Sequence, residues 1–175
     1  MAIRQPDMVG GPHPGLLDWL ASREIDYELH EHPETFTARE TARAEHVDPS
    51  EFAKTLAVVA DDGRQALLVL RASDQLDLSR AARALDAKKV RLLLEDEMEL
   101  LDPISEVGTI PPIGVLMGVP TIADHGIAQD REITFNAGSH RFCVHVERAQ
   151  WQRASDVRFA DLAARPDGAP AWERA

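Results

Sequence analysis

The sequence predicts an α+β fold in which short helices surround a mixed, curved β-sheet. Strand-like and helix-like segments follow one another without the regular βαβ alternation of doubly wound nucleotide-binding folds, which the pattern therefore disfavours. Residues 56–60 and 66–70 are apolar enough for central strands, and the intervening Asp61-Asp62-Gly63-Arg64 is typical of a hairpin turn. The 175 residues suffice for one domain, since domains usually contain about 100–200 residues.

The first two predicted elements are a helix and a strand. Apolar residues recur at helical spacing between Pro14 and Arg23; they are Leu16, Leu17, Trp19 and Leu20. Residues 25–30 then alternate between apolar and polar side chains, as in a strand with one buried face.

A second helix is predicted from its capping residues. Thr35 or Thr37 can serve as the N-cap, and Glu40 follows Thr37 at the spacing of a capping box. This helix should end before Asp48, because Pro49 follows directly.

The later elements follow from the same signals of periodicity and capping. Beyond the hairpin they are helices over 77–85 and 95–101 and strands over 90–93, 120–123, 132–136 and 142–146. Residues 107–114 contain two glycines and two prolines, which predicts an irregular loop. The chain contains no internal repeat.

Composition sets the expected boundaries and environment. Residues 1–13 and 163–175 are rich in Gly, Pro and polar groups, so we expect flexible extensions on either side of a domain over 14–162. No apolar run approaches the roughly 18 residues of a membrane span. The N-terminus lacks a secretory apolar segment, and Cys143 is the only cysteine, which favours a reducing cytoplasm.

Net charge limits how this protein can contact nucleic acid. The formal charge is −11 and the pI is near 5.0, the opposite of the basic surface that grips long stretches of phosphate backbone. Any nucleic-acid partner should therefore be contacted locally or with the help of a second protein.

Lys54 is the first candidate for a functional residue. It precedes an apolar strand in the stretch FAKTLAVVA, although lysine is seldom buried unless it is paired. Its stem can follow the sheet edge while its charge reaches water. Alternatively, its ammonium can line a pocket and bind phosphate or carboxylate, with the hydroxyl of Thr55 as a further donor.

Two glycine-containing segments are further candidates. The loop from Gly108 through Pro112 to Gly114 can hold backbone N–H groups towards a ligand, as an oxyanion site requires, or can be a tight connection in the sheet. Gly138, Ser139 and His140 end a predicted strand, where they fit either a binding site or a hairpin turn. No Gly-x-Ser-x-Gly motif is present to support a serine hydrolase.

A metal centre is the less favoured interpretation of the histidines. His30 and His32 face the same side of a strand, as do Cys143 and His145, and His140 lies nearby in sequence. Their spacing matches no closed zinc signature, so we expect no metal and no cofactor. The acidic run from Glu95 to Glu99 is typical of a solvated helix face rather than a pair of catalytic carboxylates.

Four motifs occur in this order along the chain: HEHPETFTARETA, FAKTLAVVADDGRQALLVLRA, EVGTIPPIGV and PTIADHGIAQDREITFNAGSH. Together they resemble the YbaK/ProX family of aminoacyl-tRNA deacylases. This family is related to the insertion domain of bacterial prolyl-tRNA synthetases. The resemblance covers residues 16–150. It implies a partly barrel-like sheet and a trans-acting hydrolase that removes wrongly attached amino acids from tRNA, without a cofactor.

The resemblance also implies residue roles. Lys54 and Gly108 match the family's lysine and the glycine of its G-x-x-x-P loop, and are the implied catalytic residues. The implied substrate-binding residues are Thr35, Thr55, Ile110, Pro112, Gly114, Gly138, Ser139 and His140. Phe36, Ile113 and Met117 are further candidate pocket walls, and Asp124 lies near the family's acidic position.

The implied partners are the acceptor end of mischarged tRNA and a synthetase or elongation factor that presents it, with no membrane. Two alternatives remain at this stage. One is a noncatalytic module of the same fold that binds an aminoacyl or nucleotide end. The other is a metal-dependent hydrolase that uses His30, His32 and His140.

Overall fold

The structure is a computed structural model that describes residues 10–164. The described chain forms five α-helices and eight strands. Their bounds in chain order are α1 Pro14–Ser22, β1 Tyr27–Glu31, α2 Ala38–Ala44, β2 Phe52–Ala60, β3 Gln65–Arg71, α3 Leu78–Ala84, β4 Val90–Leu92, α4 Glu95–Leu101, β5 Thr121–Asp124, β6 Glu132–Ser139, β7 Phe142–Glu147, α5 Arg148–Ala154 and β8 Arg158–Ala160.

All eight strands join one mixed sheet. Its order is β1-β7-β6-β2-β3-β5-β8, and β4 pairs with β2 outside this path. The β2–β6, β3–β5 and β5–β8 pairs are parallel and the others are antiparallel. The predicted α+β class with a mixed sheet is confirmed, and the sheet stays open because β1 and β8 form its two ends.

The hydrophobic core lies on both sides of this sheet. On one side, α1 and α5 cover β6 and β7 through fully buried side chains such as Leu16, Phe135 and Trp151. On the other side, α3 packs its alanines against Leu68 and Leu70 of β3. Burying one large apolar side chain contributes about 1.5–3 kcal/mol, so these two layers fix the position of the central strands.

The helix starts follow the capping signals in the sequence. Thr37 is the N-cap of α2, and its hydroxyl accepts a hydrogen bond from Glu40 N at 3.1 Å. The Glu40 carboxylate accepts from Phe36 N at 3.1 Å, one residue earlier than in a standard capping box. The Asp77 carboxylate caps α3 by accepting from Ser79 N and Arg80 N.

Three parts of the fold differ from the sequence prediction. Helix α5 and strand β8 were not predicted. Helix α5 follows β7 directly, with neither a turn nor a side-chain cap to mark its start, and β8 is a short strand of three residues. Strand β6 continues through the predicted turn at 137–139 and contains a bulge between Asn136 and Ser139. The bulge accommodates the small residues Ala137 and Gly138, so the chain reverses only at His140 and Arg141.

The predicted flexible extensions, 1–13 and 163–175, fall mostly outside the described residues and remain predictions there. Within the described part, His13 is buried and caps α1, its ring nitrogen accepting from Leu16 N at 3.2 Å. Ala163 is also buried and bridges to Leu76. In residues 10–164, no helix has the length and apolar character needed to cross a membrane.

Candidate functional site

A cavity of about 250 Å³ opens beside the start of β2. It brings together four of the predicted site residues, Lys54 and Thr55 from β2 and Gly108 and Ile110 from the loop after α4. The other lining residues are Ala38, Ala53, Leu56, Ala57, Leu92, Leu93, Met98 and Asn136. The lining is therefore mainly apolar, with one cation and a few polar groups, as is typical of a small-molecule site.

Lys54 is a half-buried cation in the wall of this cavity. It follows the buried Ala53 on β2, and its Nζ donates to the backbone carbonyl of Asp74. Burial lowers the pKa of Lys54, the charge of Asp74 opposes this shift, and the nearby Arg39 guanidinium adds to it. Because an ammonium group has three N–H donors, it can hold this carbonyl and still bind a ligand.

Gly108 presents an exposed backbone amide at the cavity. Its φ of +85° lies in the left-handed region, where a side chain is strained, although a Cβ there would meet no heavy atom within 4 Å. Its N–H has no hydrogen-bond acceptor among residues 10–164. Glycine is thus required by the backbone conformation, and this conformation leaves a donor available to a ligand.

Gly138 holds the Gly108 loop against β6. Its carbonyl accepts from Glu106 N at 3.1 Å, and its N–H donates to the carbonyl of Thr109 at 3.0 Å. A Cβ at Gly138 would lie 2.9 Å from Ser105 Oγ in the loop and 2.7 Å from the Cβ of His13. Strand and loop can therefore approach this closely only with glycine at this position.

Asp102 fixes the same loop from its other end. Its carboxylate accepts from Ser105 Oγ at 2.5 Å and lies 3.4 Å from His13 Nε2. Burial by itself raises the pKa of Asp102, but the hydrogen bonds from His13 and Ser105 outweigh it and lower the pKa to about 2. An ionised carboxylate thus anchors the loop that carries Gly108.

Comparison with known proteins identifies the family. The sequence profile described as the aminoacyl-tRNA editing domain matches residues 32–154. The chain belongs to this family. The matched segment contains Lys54, Gly108 and the rest of the cavity lining.

The editing domain also occurs within larger relatives. Proline--tRNA ligase of Acidithiobacillus ferrooxidans is 32% identical over 127 residues, which are 66% of this chain and 21% of that protein. Proline--tRNA ligase of Halalkalibacterium halodurans is 38% identical over 104 residues, 59% of this chain and 18% of that protein. The chain thus spans about a fifth of the length of these relatives.

A solved structure shares the fold of this editing domain. It is described as a candidate trans-editing enzyme for prolyl-tRNA synthetase, and it superposes with a TM-score of 0.76 at 22% identity. The match covers 86% of this chain and 96% of that one.

Three predicted residues of the editing domain, Thr35, Ser139 and His140, lie outside the cavity lining. His140 N donates to the Glu106 carboxylate at 3.0 Å, and Ser139 Oγ donates to the carbonyl of Gly10 at 2.6 Å. Thr35 N donates to the carbonyl of His140 at 3.1 Å. His140 thus contacts the Gly108 loop through Glu106, and the substrate-binding roles of all three residues remain predictions.

Pro112, Gly114 and Asp124 have contacts that maintain the fold. The Pro112 carbonyl accepts from Trp151 Nε1 at 2.9 Å. A Cβ at Gly114 would lie 2.2 Å from the carbonyl oxygen of Val119. The buried Asp124 carboxylate accepts from the backbone N–H groups of Gly126, Leu162 and Ala163, each at 2.9 Å.

Sequence reasoning missed part of the cavity wall. Met98 lies on α4, whose acidic run predicts a solvated helix face, yet its side chain is partly buried against the apolar cluster that contains Ile110. Asn136 lies in the quoted FNAGSH motif, and its side-chain oxygen is buried without a hydrogen-bond partner among the described residues. The apolar positions of α4 and the bulge at Asn136 are the signals that identify them.

Proposed function

We propose that this protein is a trans-acting aminoacyl-tRNA deacylase that hydrolyses the ester between a wrongly attached amino acid and the terminal adenosine of tRNA. The observation that carries the proposal is that one cavity brings together Lys54 and the Gly108 amide, which has no acceptor among residues 10–164. Membership of the editing family supports it. Action in trans is supported by the match to nearly the full length of the candidate trans-editing enzyme.

The chemistry requires positioning more than a protein nucleophile. Water adds to the ester carbonyl carbon, the carbonyl oxygen gains negative charge, and the bond to the ribose oxygen then breaks. The products are the free amino acid and a tRNA with its ribose hydroxyl restored. The Gly108 N–H stabilises the oxyanion, and one such donor contributes about 10²–10³ in rate.

Lys54 anchors the substrate in this scheme. Its ammonium donates to the terminal phosphate or to the aminoacyl carbonyl, and so places the ester carbon near the Gly108 amide. The substrate's own neighbouring ribose hydroxyl can assist the attacking water. No described side chain of the cavity other than Lys54 carries a charge, which agrees with a reaction driven by positioning.

The side-chain pocket selects small amino acids. The apolar groups of Leu93, Met98 and Ile110 limit a cavity of about 250 Å³, and a size limit excludes a larger cognate residue as a second sieve does. Asn136 supplies the polar contact. Its side-chain oxygen has no hydrogen-bond partner within the described part of the chain, and it is suited to accept from the substrate's α-ammonium group.

Contact with tRNA is confined to the acceptor end. A net charge of −11 opposes binding along the phosphate backbone. Arg39 is exposed on α2 beside Lys54, which provides local positive charge for the terminal phosphates. A synthetase or elongation factor that presents the charged tRNA completes the recognition.

A panel of mischarged tRNAs tests this function. Purified protein is incubated with tRNAs carrying different small and large amino acids, and ester loss is measured against spontaneous hydrolysis. We expect acceleration for small amino acids that persists after exhaustive chelation. Binding without acceleration for every member would favour the noncatalytic module, and loss of activity on chelation would favour a metal-dependent hydrolase.

A further inference from the structure

A second polar cluster lies away from the cavity, where α2 packs over β1 and β7. His30 Nδ1 lies 2.8 Å from Glu45 Oε2, and His145 Nε2 lies 3.4 Å from the same oxygen. The two imidazole centroids are 4.3 Å apart. The ligand atoms of these three side chains all lie within 4.8 Å of one another.

The fold assembles this cluster from segments that are far apart in sequence. His30 pairs with Cys143 across the β1–β7 ladder, so His145 lies on the same face two residues further on. Glu45 is the C-cap residue of α2 and brings a carboxylate over that face. The histidine spacing alone could not reveal this carboxylate.

Each imidazole is oriented by a partner on its other nitrogen. His30 Nε2 lies 3.2 Å from the Glu28 carboxylate, and His145 Nδ1 lies 2.8 Å from the hydroxyl of Thr134. Such outer partners fix the tautomer and direct the remaining nitrogen, as they do for histidines that bind metals. The nitrogens that remain both face Glu45.

Ions can reach the cluster from solvent. The side chain of His30 is 41% exposed and that of His145 is 22% exposed, whereas that of Glu45 is only 6% exposed. His145 also lines a cleft of about 460 Å³ whose wall includes three carboxylates, those of Glu51, Asp130 and Glu132, and one cation, Arg131. This negative cleft attracts cations to a buried carboxylate.

A second donor pair lies on the inner side of Glu45. His32 is 5% exposed, its Nδ1 lies 2.8 Å from the carbonyl of Pro33, and its Nε2 has no partner among the described residues. His32 and Cys143 each place a ligand atom within 4.8 Å of Glu45. The carboxylate therefore sits among more nitrogen and sulfur donors than an ordinary ion pair requires.

We propose that His30, Glu45 and His145 form a binding site for one Zn²⁺ ion or a similar divalent transition metal. Two imidazoles and one carboxylate form a three-ligand zinc set that leaves the fourth position to water. The bound ion clips α2 to the edge of the sheet formed by β1 and β7.

Calorimetric titration of metal-free protein with Zn²⁺ tests the site. We expect one ion per chain, and we expect His30→Ala and His145→Ala each to weaken binding by at least about tenfold, since even outer-shell changes cost about 10–100-fold. His46→Ala is the matched control, because His46 is exposed one residue beyond Glu45. Equal affinity in all four proteins, or no uptake by the wild type, would overturn the proposal.

Two further readouts separate the ligand set from a folding defect. Zn²⁺ should raise the melting temperature of the wild type and of His46→Ala but not of His30→Ala or His145→Ala, whose circular dichroism should match the wild type. The Co²⁺-loaded protein should show no thiolate charge-transfer band. Appearance of that band would assign the ion to Cys143 instead. Neither readout depends on deacylase activity.

Discussion

The substitution Gly108→Ala provides a sharp test of the site, because the fold contains a matched control. Gly108 and Gly63 have φ values of +85° and +89°, and a Cβ at either position would meet no heavy atom within 4 Å. Gly63 lies in the β2–β3 turn and does not line the cavity. The two substitutions therefore impose the same backbone strain, and only one of them changes the site.

The expected stability loss is small and equal for both variants. A left-handed conformation costs a non-glycine residue about 1–2 kcal/mol, and the lower chain entropy of the unfolded alanine variant returns about 0.4–1 kcal/mol. The net loss of about 1 kcal/mol corresponds to a fall of about 2–4 °C in melting temperature for a domain of this size.

The expected activity loss differs between the variants. At Gly108 the added methyl group and any relaxation of φ move the amide relative to the ester, and a misplacement of about 1 Å can cost about 100-fold in rate. Gly63→Ala should keep the wild-type rate in a single-turnover assay with mischarged tRNA. Equal rates for both variants would refute the oxyanion role of Gly108, as would a Gly108→Ala protein that unfolds far more easily than Gly63→Ala.

The remaining predictions concern Lys54, Asp102 and Cys143. Lys54→Met should leave thermal stability unchanged or raised in a melting scan, since burial disfavours the charged lysine; a lowered melting temperature would contradict this. The rate of wild-type deacylation, corrected for spontaneous hydrolysis, should decline as pH rises through the pKa of Lys54. This pKa lies below the ordinary lysine value of about 10.4. In Lys54→Arg the decline should occur at higher pH. The pKa of Asp102 falls from 3.8 in the unfolded chain to about 2 in the folded protein. The ionised carboxylate therefore stabilises the fold fully at pH values above the unfolded pKa, and this stabilisation is lost as pH falls through the folded pKa. Denaturant titrations from about pH 5 down to about pH 2 should show a loss of roughly 2 kcal/mol that Asp102→Asn lacks. Burial raises the pKa of the Cys143 thiol, so a thiol reagent should label it only on unfolding, and rapid labelling of the folded protein would contradict this.

Local chemistry was sufficient to predict most of the secondary structure. Thr37 and Asp77 cap their helices through side-chain hydrogen bonds, and the Asp61–Arg64 turn joins two apolar strands. These signals act within a few residues, so the sequence displays them directly. Helix α5 was missed because it follows β7 directly, without an intervening turn or a side-chain cap to mark its start.

The site depends on contacts that sequence does not display. Lys54 could be singled out as a cation beside an apolar strand, but its meeting with Gly108 depends on the loop that Gly138 and Asp102 hold in place. The acidic residues of α4 predicted a solvated helix face, so Met98 was not recognised as a cavity residue. A short helix can expose its carboxylates and still bury one apolar side chain. Residues such as Pro112 and Gly114 lie in the motif but contact the core.

The rate of ester hydrolysis by wild type and Lys54→Ala is the most direct test of the central claim. Lys88→Ala is the control, because Lys88 is exposed and does not line the cavity. With a tRNA carrying a wrongly attached small amino acid, the wild type and Lys88→Ala should hydrolyse the ester at the same rate. Lys54→Ala should fall to the spontaneous rate while retaining its circular dichroism spectrum. Wild-type activity in a folded Lys54→Ala protein would contradict the proposed site.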